Sequence, residues 1–81
     1  MFDIVKKIID NHDPYKLLAR GAPKDEYNSE SDMIASLINN DDDINKIVAI
    51  ISAVFSHSFG CDFPKEISIK MANEIKLSVE I

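Results

Sequence analysis

Apolar residues recur at helical spacing along most of the chain, and their grouping predicts about five helices. Phe2, Val5, Ile8 and Ile9, with Ile4 beside them, fall on one side of a first helix, and Lys6, Lys7 and Asp10 fall on the other. Asp13-Pro14 reads as an N-cap followed by proline at the first helical position, with Gly21 placed to end a short helix over Tyr15 to Arg20 in a left-handed cap. Ala22 to Asn28 has no sustained period and reads as a loop. Ser29 with Asp32 resembles a capping box, and the stripe Met33, Ile34, Leu37 and Ile38 predicts a third helix that ends near Asn39-Asn40.

Asp41-Asp42-Asp43 supplies an N-cap and first-turn carboxylates for a fourth helix, in which Ile44, Ile47, Val48, Ile51, Val54, Phe55 and Phe59 share one wide sector. Gly60 is expected to terminate it. Ile50 lies in another sector with Lys46 and His57, an apolar residue among polar ones. After Phe63-Pro64, the recurrence of Ile67, Met71 and Ile75, with Ala72 adjacent, predicts a fifth helix. Its end fits two periods, because Ile75, Leu77, Val79 and Ile81 also alternate with polar residues as a strand would. An exposed apolar tail of that kind could pair with a partner or seed a homodimer. The expected architecture is an all-α compact bundle of about five helices, one of them short, in a single domain over residues 1–81.

Charge changes this picture, because it is sorted along the chain. Residues 1–24 carry five bases against three acids, residues 25–45 carry seven acids and no base, and residues 46–81 carry four of each. The formal charge of -5 is therefore a local acidity. A concentrated negative surface repels phosphate backbones and attracts basic proteins, so direct nucleic-acid binding is not expected. With 46% apolar and 28% charged residues, the composition is that of a globular chain rather than an acidic disordered tail. One cysteine, Cys61, leaves no intrachain disulfide, and no secretory leader pattern opens the sequence; a cytoplasmic location follows as the expectation. The longest apolar segment, Ile47 to Phe59, is broken by Ser52, Ser56, His57 and Ser58, so no membrane span is expected.

Catalytic and metal chemistry finds little footing. His57 and Cys61 stand four apart, but Gly60 intervenes and a structural zinc site takes four ligands, to which His12 and Asp62 have no evident path. Asp41-Asp42-Asp43 lacks the alternation, central glycine and terminal glutamate of a calcium loop, and capping explains it better. Cys61 with His12 or His57 as base has no third orienting group, and no phosphate-cradling glycine loop or basic aromatic patch exists. The expectation is no enzyme, no cofactor and no metal site.

The stretch Asp13-Pro14-Tyr15-Lys16-Leu17-Leu18 through Gly21-Ala22-Pro23, then Asp25-Glu26-Tyr27 and Glu30, with Phe55, Phe59-Gly60 and Phe63 further on, resembles the YugE-like family of small bacterial helical proteins. Lys16 stands where that pattern often has glycine. The resemblance implies an all-helical fold and no activity; a looser similarity to immunity proteins encoded beside toxins implies a toxin-neutralising role. The motif also has a purely local reading, in which Asp13 caps, Leu17 and Leu18 bury and Gly21 turns the chain, so structure and recognition both remain open for it. The functional expectation is an immunity protein that binds a basic toxin domain through Asp25, Glu26, Glu30, Asp32, Asp41, Asp42 and Asp43, with Tyr27 as the central anchor. The alternative is a small acidic adaptor or regulatory protein that binds a housekeeping protein or itself.

Overall fold

The computed structural model describes residues 1–39, 41–60 and 63–79. The chain is all-α: among the described residues there are four helices and no strand, α1 Phe2–His12, α2 Asn28–Leu37, α3 Ile44–Phe59 and α4 Lys65–Val79. Among the described residues each helix packs on the next and α4 returns to α1, while the backbones of α1 and α3, and of α2 and α4, lie diagonally across the core. The four therefore close a ring around one core, in which Val5 and Ile9 from α1, Ile34 from α2, Ile47, Ile51 and Phe55 from α3 and Met71 and Ile75 from α4 are fully or almost fully buried.

Local signals set most of the helix ends. Asp43 caps α3, its carboxylate accepting the Lys46 amide at 2.8 Å, and Gly60 ends the same helix at φ 70°, a conformation that costs glycine nothing. Asp42 contributes no first-turn charge; its carboxylate accepts the Asn39 amide at 2.9 Å and folds the α2–α3 connection. The end of the last helix, where two periods competed, is helical through Val79, because Met71, Ala72 and Ile75 bury on the 3.6-residue period; Ile81 lies outside the described residues. Ile50, the apolar residue among polar ones, is half-buried against the core.

Three expectations are corrected. The short helix over Tyr15 to Arg20 does not form, which reduces five helices to four; the segment is a run of turns. The reason lies at Asp13, which adopts the left-handed conformation (φ 44°, ψ 62°) and serves as the C-cap of α1, its amide bonded to the Ile9 carbonyl at 2.8 Å. Its carboxylate then accepts amides five and six residues on, from Leu18 at 3.1 Å and Ala19 at 2.9 Å, beyond the two or three of an N-cap. The Ser29 and Asp32 capping box is also absent: α2 begins after Tyr27 and has no side-chain cap. The buried stripe of α2 is shifted too. Tyr27, Ser31, Ile34 and Ile38 face inward with Glu30, and Met33 and Leu37 are exposed.

Lys16 is the second left-handed residue of the turn segment, at φ 60°. A β-carbon in that region costs about 1–2 kcal/mol. Glycine at this position of the resembled pattern relieves that cost, less the roughly 0.5–1 kcal/mol of extra backbone entropy it gives up. Since the Lys16 side chain is exposed, Lys16→Gly is expected to raise stability by about 0.5 kcal/mol, read as a higher denaturant midpoint at unchanged slope.

Candidate partner-binding surface

The residues proposed for partner binding divide by burial. Asp25, Glu26, Asp32, Asp41 and Asp43 are exposed, and Asp42 is half-buried. Tyr27 and Glu30 go inside: Tyr27 is 0% exposed, and Glu30 is buried on the same helix, its Oε1 without a hydrogen-bond partner among the described residues. Tyr27 is thus corrected from surface anchor to core residue. The physical reason is a mutual satisfaction of groups that neither position announces alone.

The Tyr27 hydroxyl donates to Asp13 Oδ1 at 2.7 Å and accepts the Tyr15 amide at 3.1 Å, so its polar end is fully engaged while its ring fills the core. Its ring meets Phe55 edge-on at 6.3 Å. Tyr15 stacks on Phe59 at 4.1 Å, and Phe55 stacks on Phe63 at 4.7 Å. Five aromatic rings from three separate stretches of chain therefore form one cluster over the turn segment. Asp13, Tyr15, Tyr27, Phe55, Phe59 and Phe63 are the residues of this hub.

The same contacts tune the two acids. Burial acts first on Asp13 and would raise its pKa, but the Tyr27 hydroxyl, the Ala19 and Leu18 amides and the Lys16 charge outweigh it and hold the carboxyl below its ordinary 3.8. Burial, and then the bond to Asp13, push the Tyr27 hydroxyl up from 10.0 to about 12.

Three basic side chains tie the helices together. Lys6 Nζ bonds Asp10 Oδ2 at 2.8 Å and the Lys24 carbonyl at 2.9 Å, tying α1 to the loop before α2. Lys76 Nζ bonds the Asp42 carbonyl at 2.8 Å and ties α4 to the loop before α3. His12 Nε2 pairs with Glu74 Oε2, joining α1 to α4, and is not near an evident metal set. Among the described residues no group of three or more His, Cys, Asp or Glu could hold a metal ion. His57 is exposed; Cys61 and Asp62, the other candidates for zinc or nucleophilic chemistry, lie outside the described residues. No helix among the described residues is long and apolar enough to cross a membrane.

Residues 4–79 match the family described as a domain of unknown function (DUF1871). The chain belongs to DUF1871. No curated protein and no solved structure matches it. Membership assigns no function and says nothing of the YugE-like pattern or of immunity proteins.

Two outcomes test the hub of this DUF1871 domain. Tyr27→Phe keeps the ring but removes a buried donor to a carboxylate and an acceptor for a buried amide, and is expected to cost roughly 1.5–3 kcal/mol in denaturant unfolding. The pH profile should also fall at both ends. Asp13, held below 3.8, stabilises the fold fully above that pH and loses its contribution as pH falls through the lower folded value. Tyr27, raised from 10.0 to about 12, contributes fully below pH 10.0 and loses its contribution as pH rises toward 12. Tyrosinate absorbance should accordingly show the Tyr27 hydroxyl ionising only near the alkaline unfolding transition.

Proposed function

We propose that this DUF1871 protein is a binding module that presents an acidic surface to a basic partner, and that the partner is a toxin domain which it neutralises as an immunity protein. The carrying observation is that Asp25, Glu26, Asp32, Asp41 and Asp43 stay exposed, in a stretch without a base, after folding has consumed Tyr27 and Glu30. Carboxylates left in water on one segment are positioned to enter a basic cleft in the place of phosphates, which is what inhibition of a nucleic-acid-cleaving toxin requires. The looser resemblance of the Asp13 to Glu30 pattern to immunity proteins supports the toxin as the partner; the charge supports only a basic one.

No catalytic role is part of this reading. The most strongly engaged acid, Asp13, has its carboxylate occupied by three donors from its own chain.

Growth rescue tests the biological half. The C-terminal region of the reading frame upstream is induced in cells with and without this protein; survival only with it is the expected result. Equal growth in both strains would mean that the neighbour is no toxin, and equal death would mean no protection; either outcome returns the protein to the adaptor class. The electrostatic half is read with the purified pair. Reversing Asp25, Glu26, Asp41 and Asp43 to lysine is expected to slow association on the order of tenfold or more and to flatten its salt dependence. Asp43 caps α3, so a variant that leaves Asp43 in place controls for helix loss.

A further inference from the structure

The shift in the buried stripe of α2 has a second consequence, on the side of the helix that faces water. Core packing takes Tyr27, Glu30, Ser31, Ile34 and Ile38, and the outer face is left with Ser29, Asp32, Met33, Ser36 and Leu37. Met33 and Leu37 are one turn apart and therefore neighbours along a single row. They are 45% and 51% exposed. Asp32 lies on the adjoining row, Asp25 and Glu26 stand at the start of the helix, and Asp41 and Asp43 follow its end, all of them exposed. Two exposed apolar side chains therefore sit on a helix that carries Asp32 beside them and is preceded and followed by exposed acids, with no base from residue 25 to residue 45.

We propose that the outer face of α2 is the docking surface of this protein, and that its occupant is a basic amphipathic helix of the partner, whose apolar row covers Met33 and Leu37 while lysines or arginines on its flanks reach Asp32 and the acids at either end. This rests on the acidic-surface reading above and narrows it to one face and one partner chemistry. An apolar centre with a charged rim is the usual construction of a protein interface. Two helices packed side by side lie about 8–10 Å apart, which puts flanking cations of the second within reach of carboxylates on the first.

Charge decides between occupants. A second copy of this chain docking through the same face would, by two-fold symmetry, set the acids of residues 25–45 against their own copies, with Lys24 and Lys46 only at the margins. A basic helix meets no such repulsion. A groove of about 450 Å³ between α1 and α4 is lined by Ile4, Ile8, Leu77, Lys7 and Glu74 among others. It carries one base against one acid and selects no partner by charge.

The test uses two synthetic helical peptides as probes, one with a leucine row flanked by lysines and one with the same lysines and glutamine in place of leucine. Affinity is measured by calorimetry at low salt, and the bound face is located by backbone amide shifts on the intact chain. The leucine peptide is expected to bind at least about tenfold more tightly than the glutamine peptide, as two desolvated apolar side chains imply. The largest shifts should fall at Asp32, Met33, Ser36 and Leu37. Met33→Ser with Leu37→Ser, at unchanged circular dichroism, should remove that preference; Leu77→Ser, in the α1–α4 groove, should leave it intact.

Equal binding of both peptides would overturn the apolar docking face while the acidic-surface reading stands. Shifts centred on Ile4, Ile8 and Leu77 would overturn it in favour of the groove. Binding of neither peptide would overturn the acidic-surface reading as well. Sedimentation of the protein alone as a dimer, made monomeric by the two serine substitutions, would overturn it in favour of a second copy.

Discussion

The bond between the Asp13 carboxylate and the Tyr27 hydroxyl joins the end of α1, the turns that follow and the start of α2, and the rest of the bundle is arranged around it. A charge-assisted hydrogen bond of this kind is stronger than a neutral one, and it lets a phenol enter the core without an unsatisfied polar end. Asp13 does two jobs in one residue. Its left-handed backbone stops α1, and its carboxylate gathers the Leu18 and Ala19 amides that a helix would otherwise have bonded internally. Tyr27 in turn brings its ring against Phe55 of α3, and Tyr15 brings the turns against Phe59, so one polar contact sets the relation of three helices.

That economy limits where function can reside. The residues with the most distinctive chemistry in the chain, Asp13, Tyr15 and Tyr27, are committed to one another and to packing. Two lysines tie other helices to the loops at the ends of the acidic segment, Lys6 through Asp10 and the Lys24 carbonyl and Lys76 through the Asp42 carbonyl, while Lys24 and Lys46, which flank the segment, are exposed. Asp25, Glu26, Asp32, Asp41 and Asp43 face water, and the surface field they create acts on encounter more than on fold.

Helix α2 shows how packing and function share one element. It has no side-chain cap and a core face that includes Glu30 and Ser31, both poor core residues. Its orientation follows from Tyr27: with that ring held inward by Asp13, the inward row runs through Ser31, Ile34 and Ile38, and Met33 and Leu37 turn out. A helix placed for its own burial alone would face Met33 and Leu37 inward. Two exposed apolar groups are thus the cost of seating Tyr27.

Local features of the chain were sufficient for much of the architecture. The 3.6-residue recurrence of apolar positions marks α1, α3 and α4, Asp43 and Gly60 mark the ends of α3, and the charge sorting singles out residues 25–45, because each of these signals acts over one or two turns of backbone. Contacts between distant stretches decided the rest. Whether Asp13 begins a helix or ends one depends on a hydroxyl fourteen residues away, and whether Tyr27 meets a partner or a core depends on Phe55, which belongs to another helix. The same holds for Met33 and Leu37, whose spacing alone places them in a stripe. The sequence by itself determined that the chain is helical and acidic along one segment, because periodicity and charge are local properties. Only the tertiary structure decided which of the distinctive residues are used up in the interior and which remain to meet a partner, because burial is a property of the assembled helices.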